Sequence, residues 1–188
     1  TPCGTLFPYT TLFRSVLILE TGVLPAADRV ASGNALSHLG DNRLGVGLGE
    51  DNLPDISWCQ IPSGSFLMGS PNDDDNAFRR EKPQYEHNIP DAYQISRYPV
   101  TNAQYSAFVQ AGGYEQRGFW TEEGWAWRTE KEVIRPKVFG RPFSLSNHPV
   151  VGVNWYEALA FCRWLTSRSR ASGHLDHTQE VSLPTEPQ

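Results

Sequence analysis

The 188-residue chain is short of several things at once. It has three cysteines, too few for a disulfide framework, which points to a reducing compartment. Positive charge is scarce: 16 Lys and Arg face 21 Asp and Glu, for a net charge of −5. Phosphate backbones are bound by clustered positive charge, so a nucleic-acid partner is not expected. Long apolar runs are missing. Val16 to Leu19, the longest near the start, falls far below the roughly 20 residues of a membrane helix. It is also shorter than the roughly 7–15 residues of a signal-peptide core. No membrane partner is expected, and a cytoplasmic location follows as the expectation. Neither GxxxxGK[ST] nor GxGxxG occurs, so nucleotide binding has no support.

Aromatic residues are plentiful and unevenly placed. Of 22, three (Phe7, Tyr9, Phe13) precede residue 56, and all six Trp follow it. Each large ring can bury about 150–250 Å², so the core-forming material begins near Ile56. The eight residues Pro8 to Ser15 resemble the translation of a sequencing adaptor. Residues 1–15 are therefore set aside, and Cys3 with them. At the other end, Thr185 and Gln188 have the spacing of a capping box. A helix is announced just where the chain stops, and the expectation is a truncated chain.

Residues 16–43 read as a helical segment. Pro25 suits a first helical turn, Ala27, Ala31, Ala35 and Leu39 recur every four residues with Val30 and Leu36 beside them, and Gly40-Asp41 is a stop. This stripe is expected to be buried, either on further helices of a HEAT-like repeat or on the next domain. Residues 44–55, rich in Gly and polar residues, read as a linker. Residues 56–188 form the main domain. Within it, Ile61 to Ser70 reads as turn, strand, turn, and His87 to Arg97 as a strand with Ile89, Tyr93 and Ile95 on one side. Two capping boxes, Thr101/Gln104 and Asn154/Glu157, start helices with apolar faces Tyr105/Phe108/Val109 and Ala158/Leu159/Cys162/Leu165. Gly112-Gly113 and Gly173 end them. Between the helices, Phe119, Trp120, Trp125 and Trp127 sit in an irregular polar stretch. Val150 to Val153 reads as a short strand.

The chemical motifs are weak. Asn72 to Asn76 suggests a Ca²⁺ loop, but counting from Asp73 puts Phe78 and Gln84 where an EF-hand needs Gly and Glu. A solvated loop is the better reading. His174 and His177 lack the HExxH spacing and read as surface residues. His87 and His148 read as hydrogen-bonded structural residues. Cys162 lies on an apolar helix face without a basic neighbour, as a core thiol does. Cys59, beside Trp58, has no activating partner. No catalytic, cofactor-binding or metal-ligating residue is assigned. Trp120, Trp125 and Trp127 read as core or loop anchors, with a peptide groove as the alternative.

From residue 56 the ordered motifs resemble the formylglycine-generating enzyme (sulfatase-modifying factor) family. They are Ile61-Pro62-x-Gly64-x-Phe66-x-Met68-Gly69-Ser70, Glu81-Lys82-Pro83, Tyr98 to Tyr105 with Phe108-Val109, and Gly112-Gly113-Tyr114. Asn147 to Trp155 with Glu157-Ala158, Phe161 to Leu165 and Leu183 to Glu186 follow in order. The resemblance covers the N-terminal part of the family domain. It implies an α+β, C-type-lectin-like fold with little regular secondary structure, incomplete here and preceded by the short helical segment. It also implies oxidation of a sulfatase cysteine to formylglycine by O₂ and copper held by two thiolates, with calcium bound elsewhere in the full domain. Those ligands belong to the family's C-terminal half, so none is carried onto this chain, and Cys162 matches a helix position.

The resemblance thus implies a fragment of a formylglycine-generating oxidase, inactive by itself, with a peptide or protein substrate of sulfatase type. The alternative is a non-catalytic binding module of a multidomain protein. Related sulfoxide synthases of ergothioneine-type pathways share the fold but hold iron through three His, two spaced His-x-x-x-His. That pair is absent, which ranks this reading behind the others.

Overall fold

The computed structural model describes residues 7–188, and Cys3 lies outside them. Two helices, α1 (Phe7–Thr21) and α2 (Ala26–Leu39), pack on each other across the short turn Gly22 to Pro25. The adaptor-like segment runs into α1, where Ser15 is buried. In α2 the expected stripe is fully buried at Leu36 alone. Leu39 is exposed, while Leu36 is fully buried. The helix docks through polar groups on that side: Gly33 O accepts from Asn147 Nδ2 at 2.9 Å, and Asn34 Oδ1 lies 2.9 Å from His148 Nε2. Backbone and amide partners decide the rotation of this helix, because its small alanines offer little area to bury.

The linker-like stretch 44–55 lies against the domain. Val46 and Leu53 are buried. Gln104, fully buried, donates to Gly45 O at 3.2 Å and Asp55 O at 2.6 Å, and Thr101 Oγ1 donates to Val46 O at 2.8 Å. The side chains that cap α3 (Asn102–Gln110) therefore also hold this loop.

Four short strands form two antiparallel pairs. β1 (Trp58–Ile61) pairs with β4 (Tyr93–Ser96), and β2 (Gly64–Met68) with β3 (Tyr85–Ile89). The turn–strand–turn reading of 61–70 holds, with Gly64 and Gly69 at positive φ on either side. The single strand read over His87–Arg97 is instead two strands with different partners. Pro90, which has no N–H to donate, sits between them.

The helix reading is confirmed at α3 and at α5 (Trp155–Ala171), each with a complete capping box. Two other readings are corrected. The polar stretch with the tryptophans contains α4 (Glu122–Glu130), capped by Thr121, whose Oγ1 accepts from Gly124 N at 3.0 Å. Val150–Val153 is no strand. One bridge joins Pro149 to Thr101, Val150 N donates to Val100 O at 2.9 Å, and Gly152 at φ 77° turns the chain away.

The core is aromatic. Tyr105 and Phe108 of α3 meet Phe161 and Trp164 of α5, with Tyr114 and Trp120 closing the far side. Tyr105 stacks on Phe161 at 5.2 Å, and Phe108 meets the same ring edge-on at 6.0 Å. Offset and edge-on pairs of this kind contribute about 0.5–1.5 kcal/mol beyond their burial. The result is a mixed α+β domain with small sheets, preceded by a helical pair.

Candidate functional site

A groove of about 660 Å³ lies between the β1–β4 pair, α5 and the C-terminal segment. Its floor is apolar, from Ile56, Val100, Phe161, Cys162 and Leu165. One wall is the strand pair, where Gln94 Nε2 donates to Gln60 Oε1 at 3.1 Å. The other wall is residues 179–188, which return along α5. Val181 N donates to Thr166 Oγ1 at 2.8 Å, and Tyr93 Oη donates to Gln188 O at 2.9 Å. The groove exists because α5 is amphipathic: Trp164 and Ala160 face the core, while Cys162 and Leu165 reach the border between core and groove. An apolar floor with a few oriented amides is the usual make-up of a site for a small molecule or an extended peptide.

The groove has binding character and little reactivity. Its one thiol, Cys162, is buried, and burial pushes it up to about 11, so it stays protonated near neutral pH. Cys59 faces Ile95 across the strand pair and does not line the groove. No histidine lines it either, so no nucleophile–base pair is assembled there.

The histidines sit apart from one another. His87 lies between the rings of Phe66 and Tyr85, His148 holds α2, and His174 Nδ1 approaches Asp51 Oδ2 at 3.6 Å. The acidic loop is tied by ordinary turn bonds, such as Asn76 N to Asp74 Oδ1 at 2.9 Å. Among the described residues no three His, Cys, Asp or Glu converge in a way that could hold a metal ion. A bis-thiolate copper site needs two adjacent thiolates, and the buried, protonated Cys162 with Cys59 off the groove does not fit one.

The tryptophans resolve as anchors. Trp120 is 5% exposed and donates from Nε1 to Gly113 O at 2.9 Å. Trp125 and Trp127 pack half-buried against the core from α4, and the Arg128 guanidinium lies over the Trp125 ring at 5.2 Å. Trp58, passed over in the sequence, is 41% exposed and lines the groove. An exposed tryptophan at a strand start carries no periodic signal, and only its place beside the groove singles it out.

Loop-rich connections, two small sheets and an aromatic core crossed by capped helices define a mixed α+β domain with a groove beside α5. The chain belongs to the sulfatase-modifying factor enzyme 1-like domain family, whose model matches residues 50–188. A hercynine oxygenase of Mycolicibacterium thermoresistibile is 35% identical over 106 residues, spanning 51% of this chain and 24% of that protein. The formylglycine-generating enzyme of Mus musculus is 29% identical over 154 residues, spanning 68% of this chain and 40% of that protein. A solved structure of PvdO from Pseudomonas aeruginosa aligns with a TM-score of 0.41 and 17% identity, covering 76% of this chain and 59% of that one. The chain thus spans about a quarter to two-fifths of the relatives it matches. Hercynine oxygenases and formylglycine-generating enzymes both stand among the matching relatives. No helix among the described residues is long and apolar enough to cross a membrane.

Proposed function

We propose that residues 50–188 serve as part of the substrate-binding scaffold of an oxidase of this family, with the groove between the β1–β4 pair and α5 as a binding wall. The family match over this span carries the reading, and the apolar groove with its oriented amides supports it. The whole protein would oxidise either a sulfatase-type cysteine peptide or a hercynine-like small molecule. Copper and calcium, which the family resemblance implies, have no fitting donor set among the described residues, and no step is assigned to them. The 188-residue chain is therefore expected to bind without turning over. A non-catalytic binding module within a multidomain protein remains the second reading, favoured by the helical pair docked through Asn147 and His148.

The test incubates the chain with a Cys-containing sulfatase peptide, and separately with hercynine and a thiol, under O₂ with copper or iron. Mass spectrometry then reads aldehyde formation or sulfoxide formation. No product in either arm, with quenching of Trp58 fluorescence by one of the substrates, agrees with the scaffold reading. Turnover would overturn the assigned lack of catalytic residues. Neither product nor binding would favour the second reading.

A further inference from the structure

The outer side of α5 carries a second concavity, of about 620 Å³, which adjoins the apolar groove across Glu180 and Val181. Arg163, Ser167 and Arg170 line it from the helix, and His177 lines it from the loop beyond. Positions i, i+4 and i+7 share one helical face, and at 1.5 Å per residue the two arginines start about 10 Å apart along the axis. Long guanidinium side chains can close that distance over the hydroxyl of Ser167. Arg163 is exposed and makes no hydrogen bond or ion pair among the described residues. Arg170 is half spent: its Nε and Nη2 donate to Gln179 O, which leaves Nη1 free. Glu180 is the one acid in the lining, and neither arginine forms an ion pair with it. Asp176 lies near enough to interact with Arg170, so Arg163 is the cation of the lining with no acidic partner among the described residues.

We propose that this pocket binds an oxyanion, a phosphate or carboxylate group on a small molecule, through Arg163 and Arg170 with Ser167 as the neutral donor. The planar guanidinium presents two parallel N–H groups that match either anion. The C-terminal end of the helix dipole opposes an anion within the last turn, so the ligand sits toward Arg163 and Ser167, one to two turns earlier. Arg170 and His177 close the far side. This inference is independent of the groove and of the proposed activity.

The experiment titrates the 188-residue chain with inorganic pyrophosphate and, separately, with succinate at constant ionic strength. Backbone and Arg Nε resonances are followed by NMR. Saturable shifts confined to Arg163, Ser167, Arg170 and His177 are expected. The arm that saturates tells phosphate from carboxylate. Arg163→Gln, which removes no internal bond, should weaken binding about tenfold or more, and Ser167→Glu should abolish it. Arg168→Gln removes the same charge from the same helix outside the pocket and should change binding less than twofold. Equal losses in Arg163→Gln and Arg168→Gln would reduce the effect to the general ion atmosphere and overturn the proposal. So would shifts scattered over the surface, or no saturation with either anion.

Discussion

The Tyr114 hydroxyl donates to Glu157 Oε1 at 2.6 Å, and both side chains are almost sealed from solvent, at 2% and 3% exposure. The other carboxylate oxygen accepts from Asn154 N at 2.9 Å, which is the return arm of the α5 capping box. One carboxylate thus caps a helix and anchors the loop that follows α3. Tyr105 completes the group, its hydroxyl 3.1 Å from both Tyr114 Oη and Glu157 O. Burial pushes both phenols well above their ordinary value, so they remain neutral donors.

Tyr114→Phe is expected to destabilise the domain by about 1–3 kcal/mol, because it strips a buried carboxylate oxygen of its donor. Glu157→Gln keeps a capping side chain and should cost less. The coupling between the two changes, from urea unfolding of both single variants and the double, should be clearly non-zero. Simple additivity would mean the hydroxyl and carboxylate do not interact.

Gly113 sits against Phe108 so closely that a Cβ there would fall 1.9 Å from Phe108 Cε2. Phe108 is fully buried and packed on Tyr105, Tyr114, Phe161 and Trp164, so its ring has nowhere to go. Gly113→Ala should cost about 1–3 kcal/mol by overpacking and alter the near-UV dichroism. Adding Phe108→Leu should cost less in that background than in the parent chain, because the smaller side chain relieves the clash.

Much of this architecture was legible locally. Thr101/Gln104 and Asn154/Glu157 announced their helices because capping is an i, i+3 event that needs nothing beyond its own turn. Gly64 and Gly69 marked their turns for the same reason. α4 was missed because Glu122–Glu130 has no apolar stripe, and its helix depends on the Thr121 cap and on core contacts of Trp125 and Trp127. The β1–β4 pair, and with it the groove, joins segments far apart in the chain, where neither strand alone carries a signal. The oxidase resemblance came from ordered motifs that proved to be mainly packing and capping residues. For that reason the motifs identified the family without pointing to chemistry.

Asn147 is the hinge pin of the helical pair, donating from Nδ2 to Gly33 O at 2.9 Å and to Asp41 Oδ2 at 2.8 Å. Burial alone would push Asp41 up, but hydrogen bonds from Arg43 and Asn147 outweigh it and hold the carboxyl below its ordinary value of 3.8. A lowered carboxylate stabilises the docked state above its unfolded value, and that contribution disappears as pH falls through the folded value. Asn147→Ala should accelerate amide exchange across Ala26–Leu39 while leaving α5 protected. In the parent chain, the same loosening should appear only below about pH 4. Loosening that set in well above that pH would show that a group other than Asp41 controls the docking.

Cys162 offers the sharpest division between a core thiol and a redox ligand. Its thiol is pushed up to about 11 from an ordinary value of 9.0 by burial. The folded state therefore keeps a proton that the unfolded state releases, and the thiol's contribution to stability should fall as pH rises from about 9 toward 11 and level off beyond. Tyr105 and Tyr114, raised for the same reason from 10.0, add a loss that begins above about pH 10 and continues past 11. Cys162→Ala should remove the first part of this alkaline decline and leave the part due to the tyrosines, as read by melting temperature against pH. In the native chain at pH 8, iodoacetamide followed by peptide mapping should modify the half-buried Cys59 well before Cys162, which should react only after denaturant opens the core. Fast alkylation of native Cys162, or protection of both thiols by added Cu(I), would show an accessible thiolate at the groove floor. Cys162 would then belong with the reactive groups of the site and not with its packing.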